Sequence, residues 1–339
     1  MNKRILKWIG IIILAFLILG TINRMKNPIS NPNNNSLENN QEYGPGDYTF
    51  LLEYNGLERK YLVHVPSSYN KENPIPLVLS FHGGGGSPEG HRSMTEMDDS
   101  SDKNNFIVIY PRGMRPDKNN NKVFGRFWNV GIGPGGELTS GIKDIDDVGF
   151  VNALLDDVES KFSIDTQKIY STGFSNGGML SHLLACKLSN RIAAIASVSG
   201  PFWTFPEQCE PNRAIPVIYF HGTADICAPY NGGPSNCELG IAGNKRIFIS
   251  TEETIDIWKE KNDCLLNIET IYQKGEVICK SYNQCPRDAE VILCTIEDGG
   301  HTWPSGKPNN PLGFEIGKVT LDINANEAIW DFFEKHPMK

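Results

Sequence analysis

Gly173-Phe174-Ser175-Asn176-Gly177, with Gly178 following, is the most informative run in the chain. Before it, Lys168–Thr172 predicts a short strand; after it, Gly178–Leu188 predicts a helix. A serine on so tight a strand-to-helix turn must take strained backbone angles. Glycines two residues to either side let the neighbouring elements close in. The turn also sets Ser175 at a helix N-terminus, where amides and the helix dipole favour developing negative charge. An ordinary Gly-Ser turn is the bland alternative, and the strand–helix context favours a nucleophile elbow.

The flanking residues supply partners for that serine. Pro76–Phe81 is an apolar run of the kind expected for a buried parallel strand, and it leads into His82-Gly83-Gly84-Gly85-Gly86. Glycines there let main-chain N–H groups converge on a carbonyl oxygen, so Gly84 and Asn176 are the candidate oxyanion donors. A phosphate cradle is the competing reading. The run has neither the Lys-Ser/Thr ending of a P-loop nor a G-x-G-x-x-G fingerprint. A serine hydroxyl also needs a base, and the base needs an orienting acid. Of the seven histidines, His64 falls in a strand, His336 in the tail, His91 in a polar segment and His182 on the helix after Ser175. His82 and His221 precede glycines at strand ends, where a histidine braces a loop. His301 is different: it follows the last strand, in Asp298-Gly299-Gly300-His301-Thr302-Trp303-Pro304, a loop able to reach Ser175. Asp225, in His221-Gly222-Thr223-Ala224-Asp225, is the candidate acid, and Asp298 reads as a turn former.

Periodicity carries the rest of the architecture. Tyr48–Tyr54 and Lys60–Pro66 read as a hairpin turning at Asn55-Gly56. Phe106–Tyr110, Ala193–Ser199, Ile215–Phe220 and Val291–Ile296 read as further strands, the last two separated by a helix at Glu252–Lys261. Asp147–Lys161 spaces Val148, Val151, Leu154, Leu155 and Val158 along one helix face. Strands alternating with helices predict an α/β fold: a mostly parallel sheet covered on both faces, with an antiparallel N-terminal hairpin.

The first 23 residues are of another kind. Lys3, Arg4 and Lys7 precede an apolar run from Trp8 to Ile22, the pattern of an export signal. The run lies between a signal-peptide core and a spanning helix of roughly 17–25 apolar residues. Residues 1–23 are therefore expected to be a signal peptide or a membrane anchor. Residues 24–46, rich in Asn and Pro, are expected to be a flexible linker, and 47–339 a single catalytic domain. The protein is expected outside the cytoplasm, secreted or tethered by that segment. Eight cysteines fit an oxidising compartment. No C-x-x-C or H-E-x-x-H spacing points to a metal, and no cofactor is implied. A net charge of −8 without a basic stripe argues against nucleic acid as a partner.

Taken together, these stretches resemble the polyhydroxybutyrate depolymerase and feruloyl esterase-like branch of the α/β hydrolases. The likeness runs through Arg59-Lys60-Tyr61-Leu62-Val63-His64-Val65-Pro66, the His82 glycine loop and Asp147-Val148-Gly149-Phe150. It continues in the Ser175 elbow, His221–Asp225 with Pro229-Tyr230-Asn231-Gly232-Gly233, and Gly300–Pro304. It covers about residues 48–336. The resemblance implies Ser175, Asp225 and His301 as a triad acting through an acyl-enzyme. It implies hydroxyalkanoate polyesters or similar short esters as substrates, with feruloyl or acetyl groups on plant polysaccharide as the alternative. It further implies that Cys186 pairs with Cys209 and Cys264 with Cys285; Cys227 with Cys237 is a candidate local bridge. Trp128, Trp203 and Trp303 are candidate substrate-lining residues. A serine peptidase on the same fold and a catalytically inactive surface binding protein are the rival readings.

Overall fold

A computed structural model describes residues 42–115, 125–131, 145–203, 206–237, 246–265, 267–307 and 316–339. Strands β1 (Gly46–Tyr54) and β2 (Leu57–Val65) form the N-terminal hairpin. Its turn residues Asn55 and Gly56 take φ of 50° and 73°, the left-handed pair that a tight hairpin requires. The central strands are β3 (Ile75–Phe81), β4 (Ile107–Pro111), β5 (Ile164–Phe174), β6 (Ala194–Val198) and β7 (Val217–Gly222). A two-stranded ribbon, β8 (Gly233–Pro234) with β9 (Ile247–Phe248), stands apart. Strands β10 (Glu269–Lys274), β11 (Val277–Tyr282) and β12 (Val291–Ile296) complete a ten-stranded sheet ordered β1-β2-β4-β3-β5-β6-β7-β12-β11-β10. The six central strands from β4 to β12 run parallel, and both edges are antiparallel. This is the expected α/β fold.

Six helices cover the sheet among the described residues: α1 (Pro88–Thr95), α2 (Met97–Asn104), α3 (Asp147–Lys161), α4 (Asn176–Lys187), α5 (Thr251–Lys261) and α6 (Ala325–Lys335). Alternation along the strands divides the core in two. Ile107 and Ile109, with Leu77, Leu79, Val217 and Leu293, face α3, α4 and α5. Val108 and Tyr110, with Val78, Ile218 and Ile292, face α1, α2 and α6. Trp330 and Phe333 of α6 stack on Phe106 and Tyr170, at centroid distances of 4.5 and 4.6 Å. Helix starts follow local chemistry. Asp146 caps α3 by accepting from Gly149 N–H, and Ser250 with Glu253 makes a capping box for α5.

Two features of this sheet lie beyond the sequence reading. The β10–β11 hairpin adds an edge whose outer strand, β10, has no buried side chain, so no buried periodicity marks that strand. Helices α1, α2 and α6 lie in segments read as polar or left unassigned. The predicted segment 1–23, and the predicted linker through residue 41, lie outside the described residues. Among the described residues no helix is long and apolar enough to cross a membrane. Tyr43 packs on Tyr48, Phe50 and Phe162, so the folded unit takes in residues that the sequence reading gave to the linker.

All eight cysteines are paired, as Cys186–Cys209, Cys227–Cys237, Cys264–Cys285 and Cys279–Cys294. The last bridge joins residues directly opposite each other on β11 and β12. It was invisible in the sequence because the β11 strand itself was. The Cys186–Cys209 bridge closes a loop with a sequence separation of 23. Replacing both of these cysteines by serine is expected to lower unfolding stability by about 3 kcal/mol through the unfolded chain's regained freedom. Equilibrium denaturation of the double variant measures it.

Candidate active site

Pairing register gathers the candidate residues at one edge. Phe81 lies beside Gly173, Phe174 beside Val198, and Gly222 beside Ile296. The parallel strands therefore end together, and the loops after β3, β5, β7 and β12 emerge at the same carboxyl edge, where open α/β sheets place their ligands. Those loops carry Gly83–Gly86, Ser175, Asp225 and His301.

Ser175 sits between β5 and α4 with φ 53° and ψ −120°, a conformation that a side chain resists. Its N–H donates to Val198 O at 2.8 Å, and its carbonyl accepts from Met179 N–H at 2.9 Å. The flanking glycines are required by space. A Cβ on Gly173 would lie 2.4 Å from the Gly177 backbone, and one on Gly177 would lie 2.2 Å from Phe81 O. Asn176 begins α4, so its N–H has no acceptor within the helix.

The glycine loop lies against this elbow. Gly85 N–H donates to Arg126 O at 2.7 Å and Gly86 N–H to Gly83 O at 3.1 Å, whereas no acceptor among the described residues takes Gly84 N–H. Only Gly85 in this run has a positive φ, 79°. Gly84 is needed for a different reason: a Cβ there would lie 2.8 Å from the Phe127 ring. Gly113 N–H donates to His82 Nε2 at 3.0 Å, so Nδ1 carries the hydrogen and donates to Gly83 O at 2.7 Å. Burial pushes the His82 imidazole down to about 4, which keeps this brace neutral. The Asn176 side chain secures the loop's neighbour from the other side, accepting from Trp128 N–H at 2.7 Å and donating to Trp128 O at 3.1 Å.

His301 and Asp225 are joined. His301 Nδ1–H donates to Asp225 Oδ2 at 2.7 Å, with both residues 4% exposed. The other carboxylate oxygen, Oδ1, accepts from Cys227 N–H at 2.8 Å and Ala228 N–H at 2.9 Å. Burial alone would push the Asp225 carboxyl up, but the His301 and His221 rings facing it hold it well below the usual carboxylate range. The His301 loop is fixed by His301 N–H donating to Ile316 O and Gly300 N–H to Lys318 O. Phe174, next to Ser175, packs on the His301 ring at 4.8 Å. His301 thus lies beside the elbow, although no hydrogen bond joins it to Ser175 Oγ. Such contacts are often loose in unliganded enzymes and tighten around substrate.

The other histidines have structural surroundings. His182 Nδ1 accepts from Trp258 Nε1–H and His91 Nε2 meets Ser80 Oγ; burial pushes both rings down to about 3. Asp298 is a left-handed turn residue, φ 55°, whose N–H donates to Thr223 Oγ1. The three tryptophans read as substrate-lining are buried, at 0%, 2% and 2% exposure for Trp128, Trp203 and Trp303. Trp128 Nε1–H donates to His82 O beneath the glycine loop, and Trp303 Nε1–H to Asn326 Oδ1. Trp203 packs edge-on against Phe248. Indoles bury well once the N–H or the ring face is matched, and a lone sequence shows no such match. Phe127, over Gly84, and His221, against Asp225, are site residues that sequence reasoning missed. The sequence offers His221 only as a loop brace at a strand end, and nothing in it marks Phe127.

Two side-chain clusters among the described residues have metal-ligand proximity: Asp225, Cys227 and His301, and Asp47, His64 and Asp98. Cys227 is bridged to Cys237, and the carboxylates of Asp47 and Asp98 both bind the Arg92 guanidinium.

The chain is 30% identical over 254 residues to feruloyl esterase B of Piromyces equi, covering 74% of this chain and 44% of that protein. It is 32% identical over 180 residues to feruloyl esterase D of Neurospora crassa, covering 52% and 57%. It thus spans about half the length of these relatives. Among solved structures, acetyl xylan esterase from Aspergillus awamori superposes with a TM-score of 0.54 at 15% identity, over 85% of this chain and 99% of that one, a likeness of fold. The model of the phospholipase/carboxylesterase family matches residues 65–246, more than half of the sequence. Elbow, sheet and family model agree, and the chain belongs to the phospholipase/carboxylesterase family of α/β hydrolases.

Proposed function

We propose that the protein is a serine carboxylic-ester hydrolase in which Ser175 attacks, His301 is the base and Asp225 orients it. The observation that carries this reading is the buried His301–Asp225 bond beside a serine held on a strained elbow. Because Nδ1 of His301 is committed to Asp225, Nε2 is the atom that takes the Ser175 proton and later passes it to the leaving alcohol. The amides of Gly84 and Asn176 stabilise the oxyanion; an acyl-enzyme forms, and water releases the acid. A catalytically inactive binding protein would have no need of the strain at Ser175.

The substrates are esters of plant polysaccharide, feruloyl or acetyl, an assignment supported by the sequence relatives. Hydroxyalkanoate polyesters remain supported by the motif resemblance alone. The four disulfides support an extracytoplasmic enzyme, reached through the predicted signal or anchor at 1–23. A panel of p-nitrophenyl acetate, methyl ferulate, hydroxybutyrate oligomers and peptides tests the assignment. Turnover of acetate and ferulate esters is expected. Cleavage of hydroxybutyrate oligomers alone would move the substrate to polyesters, and cleavage of peptides alone would make the protein a peptidase.

The oxyanion loop can be tested separately from the triad. Gly84→Pro deletes one backbone donor and crowds Phe127. Turnover is expected to fall by about 10²–10³-fold. Fluorophosphonate labelling of Ser175 should slow in parallel, since that reaction also builds charge on oxygen. A folded Gly84→Pro variant with full turnover would remove the loop from the mechanism.

A further inference from the structure

We infer that His221 is a second histidine of the active site, a positioning residue that holds the Asp225 carboxylate on line with His301. The inference rests on the triad assigned above and deepens it.

His221 is the penultimate residue of β7, four residues before Asp225, and is 1% exposed. Its Nε2 lies 2.7 Å from Ala228 O and 3.2 Å from Asp225 Oδ2. A carbonyl oxygen can only accept, so Nε2 carries a hydrogen. That hydrogen goes to the carbonyl, and the carboxylate oxygen lies beside the same nitrogen. The opposite nitrogen, Nδ1, meets the Tyr219 hydroxyl, which fixes which way round the ring stands. The ring is also held edge-on between Tyr219 and Tyr230.

The consequence for Asp225 is geometric. A carboxylate held only through Oδ1, by the amides of Cys227 and Ala228, could still rotate its other oxygen away from His301. His221 removes that freedom twice. It sets its Nε2 edge 3.2 Å from Oδ2, and it ties Ala228 O, so the peptide turn that supplies the two amides is closed from behind. Oδ2 thereby faces two ring nitrogens, accepting from His301 Nδ1–H and lying 3.2 Å from His221 Nε2. A misplacement of about 1 Å at such a contact costs on the order of 10²-fold in rate.

The test uses the full chain and p-nitrophenyl acetate, with variants His221→Leu, His221→Gln and His221→Asn, alone and combined with Asp225→Asn. His221→Leu is expected to lower kcat by about 10²-fold while KM changes less than about twofold. Glutamine places an amide N–H where Nε2 stood and should recover most of that loss. Asparagine places its amide at the Nδ1 position and should not. Because His221 acts through Asp225, its replacement should change little in the Asp225→Asn background, a failure of additivity that a packing role would not produce. If His221→Leu does not fold, the glutamine and asparagine variants decide. Equal activity of those two, full kcat in the leucine variant, or additive losses with Asp225→Asn would overturn the inference. Ser175→Ala run alongside separates the cases: if it retains activity, the triad itself is wrong, and if it is inactive, only the role of His221 is at stake.

Discussion

Ser175→Ala is expected to lower ester turnover by about 10⁶-fold, the loss seen when a triad serine is removed and only binding and oxyanion donors remain. Fluorophosphonate labelling should vanish with it. The fold should persist, since Ser175 Oγ forms no hydrogen bond with His301 and the elbow is held by backbone bonds to Val198 and Met179. Circular dichroism and melting of the variant should match the parent protein. An alanine variant with parental turnover would mean that another group attacks the ester.

Asp225→Asn is expected to lower kcat by about 10⁴-fold with KM little changed. The reason is the donor arrangement around the carboxylate. Oδ1 accepts two amide N–H groups, and Oδ2 faces the two histidines. An asparagine can keep an oxygen on only one side. If its oxygen stays on the amides, its NH₂ faces His301 Nδ1, which must then accept; the ring proton moves to Nε2 and the base loses its lone pair. If it turns the other way, two main-chain donors lose their acceptor. Steady-state kinetics combined with a melting curve distinguish these outcomes. The first leaves stability near parental, and the second lowers it by about 1–3 kcal/mol. Parental kcat in this variant would remove Asp225 from the mechanism.

The parts legible in the sequence were those where one residue type is forced by space or by burial on both faces. Gly173 and Gly177 could be read because neighbouring backbone leaves no room for a side chain. The strands β3, β4 and β7 could be read because every residue of β4 and β7, and nearly every residue of β3, is buried. Exposed edges erased that signal. In β10 no position is buried, and a bulge near Thr270 and Tyr272 breaks the alternation that would have marked it. The burial of the tryptophans was hidden for a related reason. Indoles at the ends of strands near a predicted site look like pocket walls, whereas His82 O and Asn326 Oδ1, which draw two of them inward, come from distant parts of the chain. His221 lay in view from the start, but its value depends on Ala228 O and Asp225 Oδ2 standing within reach of one nitrogen, which only the folded turn provides.

The left-handed backbone at Ser175 has a bearing on how far this protein can be hardened against heat. A non-glycine residue held at φ 53° and ψ −120° carries roughly 1–3 kcal/mol of conformational strain. Glycine at the same position would shed that strain, and any laboratory selection that scores survival at high temperature without scoring turnover would favour it. On the mechanism proposed above, the position that ranks first for tolerance is then the one at which tolerance ends catalysis. On the proposed mechanism, efforts to raise the working temperature of this protein should therefore leave the elbow alone and look to the outer face of β10, where no side chain is buried.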